Sequence, residues 1–224
     1  MDSGFMCRRE ALRLAVTALA GALSLPRSVA ASIQELTLPA DIAEQKLNLE
    51  NQGLGGWTTI DGHGLVEDMP GTPVGTKALV QRATSNEFNV IVAPPGPFTD
   101  VDVSVKFDLL SGTQDASGGI VFRFNNGTYY VIRASARENN LWLLAYDGGR
   151  RQLASASAKS PALGQWHLLR VVAIDDHIQG WLDGALLLDH RDTRFKAGRV
   201  GLWTKADSII AFNDLTIRGR PKGP

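Results

Sequence analysis

The chain has 224 residues, of which 44% are hydrophobic and 21% are charged, so it can build one β-sandwich or two small globular domains. Its formal net charge is zero, and without a clustered basic excess nothing favours a nucleic-acid partner. The single cysteine, Cys7, excludes an internal disulfide framework and a cysteine-rich zinc site.

The N-terminus is predicted to carry an export signal. Arg8 and Arg9 precede an apolar run at residues 14–25, and small residues follow it. This order is typical of a signal peptide, and the run is shorter than the ~20 residues that a membrane-spanning helix needs. A retained membrane anchor is the alternative interpretation. Cleavage is expected after Ala30 or Ala31.

Residues 7–13 resemble the twin-arginine export motif, although Ala11 stands where an aromatic residue is usual. We therefore expect residues 1–31 to be removed and the mature chain to reside in the periplasm or outside the cell, with no membrane span. Four arginines and two acids fall within that signal, which leaves 19 basic and 21 acidic residues in the remainder. Residues 32–224 contain no internal repeat or linker and are predicted to form a single domain.

Most of the mature chain has the pattern of β-strands. Residues 39–50 predict one short helix or an extended lead-in. In residues 101–109 apolar side chains alternate with polar ones, as in a strand with one buried face. Turn residues such as Asn126-Gly127 then separate short strands, which is typical of sandwiches and barrels. The later predicted strands cover residues 118–124, 128–133, 141–146, 150–154, 166–174, 177–182, 185–190, 198–203 and 208–217.

Six short motifs between residues 100 and 219 occur in an order that is specific to one architecture. They are Gly119-Ile-Val-Phe-Arg123, Tyr129-Tyr-Val-Ile-Arg133, Gly164-Gln-Trp-His-Leu-Leu-Arg170, Trp181-Leu-Asp-Gly184, Gly201-Leu-Trp-Thr-Lys-Ala-Asp207 and Phe212-Asn-Asp-Leu215. This order resembles the concanavalin A-like jelly roll, and within it the 3-keto-disaccharide hydrolase-like domains, which are grouped near laminin-G-like modules. The resemblance implies an all-β fold, a two-sheet antiparallel jelly-roll sandwich whose concave face often binds glycan. Its functional implication is analogy only, because one fold hosts many functions.

Two arginines in this pattern are candidate ligand residues. Arg123 and Arg133 lie in strands that are predicted to pair as a hairpin, and by alternation Arg123 shares a face with Val121. An unpaired buried charge is costly, and a concave groove would supply both arginines with solvent or with a ligand. The alternative is a salt bridge to Glu138 or to Asp108.

Four aromatic side chains are candidates for stacking against a pyranose ring. Trp142 and Tyr146 are four residues apart on one strand and therefore face the same side, while Leu141 and Leu143 face the core. Trp142 is the strongest candidate for this reason. The four residues are Tyr130, Trp142, Tyr146 and Trp203.

Charged residues near the C-terminus suggest two further roles. Lys205 and Asp207 follow a strand in a loop, a position that often carries function, although a surface charge pair is the alternative. Lys205 is a candidate ligand residue. The resemblance also implies a structural calcium ion, because in many folds of this kind an Asp on the closing strand supplies oxygen ligands. Asp214 is the candidate here, and no other cofactor is expected.

No stretch of the sequence contains a complete catalytic motif. Glycoside hydrolysis normally needs two carboxyl groups at a matched separation, and the Glu-x-Asp-x-x-Glu run of related glycoside hydrolases is missing. The sequence also has no HExxH motif and no Gly-x-Ser-x-Gly elbow. Glu138 and Asp207 are the candidates for an acid or a base.

Three functions stay open from the sequence. The first is an exported carbohydrate-binding domain that holds a glycan or small sugar on its concave face. The second is a hydrolase acting on 3-keto-disaccharides or related glycosides, which an acid pair lining the groove would favour. The third is a structural or protein-interaction module, which a groove filled by the protein's own side chains would favour.

Overall fold

The computed structural model describes residues 33–84 and 87–223. Residues 35–224 form one compact unit. The other unit comprises residues 1–34, and the predicted signal peptide within it lies outside the described residues. Among the described helices, none is long and apolar enough to cross a membrane.

The described chain contains fifteen strands and one helical turn. The turn is α1 (Leu49–Gln52), which Asn48 caps by accepting a hydrogen bond from the Glu50 N–H at 2.8 Å. The strands are β1 (Glu44–Lys46), β2 (Thr58–Asp61), β3 (Gly64–Asp68), β4 (Lys77–Gln81), β5 (Phe88–Val92), β6 (Phe98–Ser111), β7 (Ser117–Asn125), β8 (Thr128–Ser135), β9 (Asn140–Tyr146), β10 (Arg150–Ser157), β11 (Trp166–Ile174), β12 (His177–Leu182), β13 (Ala185–Arg191), β14 (Arg199–Lys205) and β15 (Ile209–Pro221).

The strands form two antiparallel sheets, which confirms the predicted jelly-roll sandwich. One sheet has eight strands in the order β13-β12-β11-β6-β15-β4-β3, with β1 also paired to β15. The other has seven strands in the order β10-β9-β8-β7-β14-β5-β2. The predicted hairpins β7–β8, β9–β10, β11–β12 and β12–β13 are all present as neighbouring strands.

The main core lies between the two sheets. The alternation predicted for residues 101–109 is confirmed, since Val103, Val105 and Phe107 on β6 are fully buried and pack in this core. Full burial of a side chain of this size contributes roughly 1.5–3 kcal/mol. Gly180 on β12 marks a close approach of the sheets, because a Cβ there would lie 2.2 Å from Ile132 Cδ1 of β8. The inner faces of the two sheets are therefore filled by packed side chains, and a ligand site is expected on an outer face or at an end of the sandwich.

Candidate functional site

The outer face of the seven-stranded sheet carries most of the side chains that the sequence singles out. The register across β10, β9, β8 and β7 places Ser155, Trp142, Arg133 and Gly119 side by side, and Trp203 follows on β14. Arg133 and Trp142 are therefore direct cross-strand neighbours on one face, the arrangement in which side chains of a sheet interact.

Arg133 is the centre of the site and is only 1% exposed. Its guanidinium carbon lies 4.0 Å from the centroid of the Trp142 ring, which is a cation–π contact. Its Nη2 donates to Glu138 Oε2 at 2.5 Å, and its Nη1 donates to Asn140 Oδ1 and to Ser117 Oγ, each at 3.3 Å. The salt bridge to Glu138, which the sequence left open, is therefore formed.

Glu138 stays accessible at the rim of this arrangement, with 37% of its side chain exposed. Partial burial acts to raise the pKa of its carboxyl, but the hydrogen bond and the charge of Arg133 outweigh that effect and lower the pKa below its ordinary value. Oε2 also accepts from Asn140 Nδ2 at 3.3 Å, whereas no described residue donates to Oε1. Glu138 therefore offers a ligand one free carboxylate oxygen.

A second ion pair joins the first through Ser117. Lys205 Nζ lies 2.5 Å from Asp115 Oδ2, and Ser117 Oγ donates a hydrogen bond to Asp115 Oδ1. Because Arg133 donates to the same Oγ, the contacts run without a break from β14 to β9. Two cations balance two carboxylates, so the set is neutral overall. We call it the polar network; its members are Asp115, Ser117, Arg133, Glu138, Asn140 and Lys205.

Asp207 holds the loop that presents Asp115. Its Oδ2 accepts from the Thr113 N–H, the Thr113 hydroxyl and the Gln114 N–H, and its Oδ1 accepts from the Asp115 N–H, at 2.6 to 2.9 Å. The Thr113 hydroxyl and these backbone N–H groups keep the pKa of Asp207 far below its ordinary value. With four donors already bound, Asp207 is a structural clamp, and we do not retain it as a candidate acid or base.

Aromatic side chains fill the centre of the same face. Tyr129 stacks on Tyr146 with ring centroids 4.6 Å apart, and the Phe88 ring lies 5.0 Å from Tyr146 and 5.4 Å from Trp203. Tyr146 is 7% exposed and Trp203 is 1% exposed, so these two predicted ligand residues are covered. Burial raises the pKa of Tyr129 to about 12, which keeps that phenol neutral. Trp142 is only half-buried.

The structure places Tyr130 away from this face. Successive side chains of a strand point to opposite faces, so Tyr130, next to the outward-facing Tyr129, points into the core, where it is fully buried beside the Phe122 ring. Its hydroxyl donates to Asp192 Oδ1 at 2.5 Å and accepts from the Phe195 N–H at 3.0 Å. The prediction that Tyr130 contacts a ligand on the concave face is therefore corrected: its hydroxyl ties down a loop.

Arg123 also leaves the outer face, contrary to the predicted alternation. The register of β7 with β8 shifts after Phe122, and Arg123 has φ +53°, so the pattern that begins at Val121 does not continue through it. Its Nε and Nη1 donate to the carbonyl oxygens of Thr99 and Phe195 at 3.1 and 2.9 Å, at one end of the sandwich. The side chain is 1% exposed and forms neither of the salt bridges weighed from the sequence.

The surroundings of Asp214 do not fit a calcium ion. Asp214 lies at a register shift of β15, and its Oδ2 is 3.1 Å from Lys106 Nζ, so a cation already neutralises it. Calcium takes about six to eight oxygen ligands. Among the described residues, no group of three or more acidic, histidine or cysteine side chains could hold a metal. Calcium binding by the protein itself stays a prediction, which a melting temperature measured with a chelator and with added calcium would test.

Three members of the polar network were not predicted. Asn140 precedes Trp142 by two residues, so strand alternation could have placed it on the same face. Ser117 precedes Gly119 by two residues and could have been found in the same way. Asp115 lies in a loop, and no periodic pattern in the sequence predicts the position of a loop side chain.

A family model described as "3-keto-alpha-glucoside-1,2-lyase-like domain" matches residues 46–218 of the chain. None of the curated proteins matches the chain significantly.

Three solved structures share the fold. The carbohydrate binding module CBM66 from Bacillus subtilis is 20% identical, with 73% of this chain and 96% of that chain covered and a TM-score of 0.63. A protein of unknown function with a galectin-like fold, also from Bacillus subtilis, is 12% identical, with 76% of this chain and 93% of that chain covered and a TM-score of 0.58. The metal-free carbohydrate recognition domain of Emp46p is 11% identical, with 78% of this chain and 93% of that chain covered and a TM-score of 0.54. At these identities the likeness concerns the fold alone.

Proposed function

The chain belongs to the family of 3-keto-alpha-glucoside-1,2-lyase-like domains, and on that premise we propose that it binds a carbohydrate at the polar network. One observation carries the proposal. The half-buried Trp142 contacts the buried guanidinium of Arg133, which also binds Glu138, a carboxylate with one oxygen that no described residue contacts. An aromatic surface combined with a few fixed polar groups is the usual composition of a small-molecule site.

A sugar has the chemistry that this arrangement accommodates. The apolar face of a pyranose ring packs on Trp142, while its hydroxyls donate to Glu138 Oε1 and accept from Lys205 Nζ. Lys205 has three N–H donors and uses one on Asp115. On the far side of Trp142, the edge strand β10 carries the small, exposed Ser155, which leaves the approach to the ring open. The neutral charge balance of the network suits an uncharged ligand.

The test is a binding titration of the purified protein against sugars, 3-keto-sugars and oligosaccharides, preceded by a thermal-shift screen with and without calcium. For a sugar that binds, Trp142→Ala is expected to weaken affinity at least tenfold, about 1.4 kcal/mol, without loss of the native circular dichroism spectrum. Trp166→Ala is the matched control, because it removes a half-buried indole from the other sheet. Unchanged affinity in Trp142→Ala would refute the proposal. If none of the tested sugars binds, a protein-interaction module is favoured instead.

A second candidate function is cleavage of a 3-keto-glucoside by elimination across C1 and C2, the reaction that the family description names. The observation that favours it is the presence of two carboxylates, Asp115 and Glu138, in one network, with the charge of Asp115 close enough to act on Glu138. Glu138 would take the C2 proton, which the neighbouring ketone acidifies. The C–H electron pair would form the C1–C2 double bond and the C1–oxygen bond would break, and the departing oxygen would take the proton back from Glu138 and leave as the alcohol.

Cleavage and binding are separable by experiment. The elimination product contains a carbon–carbon double bond conjugated to the ketone, so its formation is followed by ultraviolet absorbance. Glu138→Gln is expected to abolish the absorbance increase while retaining binding, because the amide keeps the shape but not the base. If the absorbance of Glu138→Gln rises at the wild-type rate, Glu138 is not the base.

We also propose that the domain acts after export from the cytoplasm. The support is the basic, apolar and small-residue order of residues 1–31, which lie outside the described residues. Expression in a bacterium followed by fractionation and N-terminal sequencing tests this proposal. A mature protein starting at Ala31 or Ser32 in the periplasm or medium is expected, and an uncleaved cytoplasmic chain would overturn it.

A further inference from the structure

A cleft of about 360 Å³ opens at one end of the sandwich, and it shares no residue with the polar network. Three segments form it: the start of β6, the turn between β11 and β12, and the loop between β13 and β14. Its volume lies at the lower end of the range of small-molecule pockets, roughly 300–1,000 Å³. The residues lining it include Asp100, Asp175, Asp176, Thr193, Phe195 and Lys196.

The buried guanidinium of Arg123 lies against the inner wall of this cleft. It donates to the carbonyl oxygens of Thr99 and Phe195, two residues that line the cleft and belong to different segments. Burial lowers the pKa of Arg123, and the negative charges of Asp100 and Asp175 work against that effect. Arg123 therefore ties together two of the three segments that form the cleft.

The walls of the cleft are held by contacts outside it. Asp100 Oδ1 accepts from the Asp175 N–H at 3.0 Å, and Asp100 Oδ2 lies 3.0 Å from Arg220 Nε. Asp176 pairs with Arg191 at 2.6 Å. The carboxylate of Asp175 makes no hydrogen bond or ion pair among the described contacts, and its side chain is exposed. Asp175 therefore supplies the free acceptor of the cleft.

Phe195 supplies an apolar surface in the same place. Its ring centroid lies 4.6 Å from that of Tyr130, and its N–H donates to the Tyr130 hydroxyl, so both backbone and ring are fixed. Lys196 and the Thr193 hydroxyl add exposed donors. The pairing of Asp100 and Asp176 with arginines leaves the cleft close to neutral, which disfavours a strongly charged ligand.

We propose that this cleft is a second carbohydrate site, which binds one sugar ring independently of the polar network. The hydroxyls of the sugar donate to Asp175 and accept from Lys196 and from the Thr193 hydroxyl, while its apolar face packs on Phe195. A neutral polyol satisfies donors and acceptors of both kinds at once, and neither an isolated cation nor an isolated anion does.

The experiment is an NMR titration of the ¹⁵N-labelled protein with glucose, galactose, mannose and fructose, read from the amide signals of residues 175–176 and 193–196. The double variant Asp175→Asn/Thr193→Ala is expected to weaken the sugar affinity that is read from these signals at least tenfold. Asparagine tolerates the left-handed backbone of position 175, φ +50°, so the fold is kept. Asp147→Asn, in the exposed turn between β9 and β10, is the matched control.

The outcomes separate this inference from the proposed function. Cleft signals that move in wild type and in Trp142→Ala, but not in the double variant, support the second site. If signals around Trp142 move and the cleft signals do not respond to any sugar, the second site is refuted and the proposed function stands. If the cleft responds equally in the double variant, the assignment of Asp175 and Thr193 is refuted.

Discussion

Arg133 and Arg123 occupy the same hairpin and are equally buried, yet their charges are compensated in different ways. Arg133 contacts a carboxylate at 2.5 Å and an indole ring at 4.0 Å. Arg123 contacts two carbonyl oxygens and no carboxylate within bonding distance. The first arginine therefore has a partner that solvent or a ligand can reach, whereas the second is bound to the backbone of two segments.

Burial alone therefore does not assign a role to a charged side chain. Glu138 can be rehydrated when Arg133 is lost, because 37% of its side chain is exposed. The hydrogen bonds from Arg123 to the carbonyl oxygens of Thr99 and Phe195 are part-buried, and losing a charged donor there is costly. Arg123 should therefore matter more for stability, and Arg133 more for binding.

The largest expected effect tests this contrast directly. Arg123→Met should lower the free energy of unfolding by about 3 kcal/mol, because it removes two part-buried hydrogen bonds from a charged donor to carbonyl oxygens. Arg133→Met, the matched variant ten residues away, should cost about 1 kcal/mol, because Glu138 regains water. Urea-induced unfolding measures both. Equal losses would show that the two arginines are not distinguished by their partners.

A smaller effect is expected for the clamp beside the polar network. Asp207→Ala removes the acceptor of three backbone N–H groups and one hydroxyl, and should cost about 1–2 kcal/mol, as the loss of a helix cap does. The same variant should weaken sugar binding, because the loop carrying Asp115 is released. Asp147→Ala, in an exposed turn, should change stability by less than about 0.5 kcal/mol. Unaltered stability in Asp207→Ala would contradict the clamp.

The smallest effect concerns acid pH. The pKa of Glu138 is lowered in the folded protein, so its contribution to stability is complete above its unfolded value of 4.5 and is lost as the pH falls through the folded value. Below pH 4.5 the melting temperature of wild type should therefore fall more steeply than that of Glu138→Gln. Measuring melting temperature against pH for both proteins checks this, and parallel curves would mean that Arg133 does not stabilise the ionised form.

Much of the fold was predictable because its signals are local. The alternation in residues 101–109 and the Asn126-Gly127 turn each involve a few neighbouring residues, and both are confirmed in β6 and in the β7–β8 hairpin. The faces of Trp142 and Tyr146 were predicted correctly for the same reason, since Leu141 and Leu143 lie in the core.

The rest depends on features that a period-two pattern does not contain. Arg123 and Asp214 are both non-glycine residues with positive φ at register shifts, and there the alternation changes face. The polar network also joins Asp115 to Lys205, which are far apart in sequence. Their contact depends on the path of the loop that Asp207 holds, which the pairing of β14 with β7 brings into reach.

The position of β15 has a consequence for how the protein is made. β15 follows every other strand of the described chain in sequence, yet it lies inside its sheet, with β6 on one side and β4 and β1 on the other. Its pairing with β6 joins residues roughly 110 positions apart, and such non-local pairing slows folding. Until residues 209–221 have been synthesised, β6 and β4 each present an open edge that invites aggregation. The sheet therefore closes only after this segment has been translated.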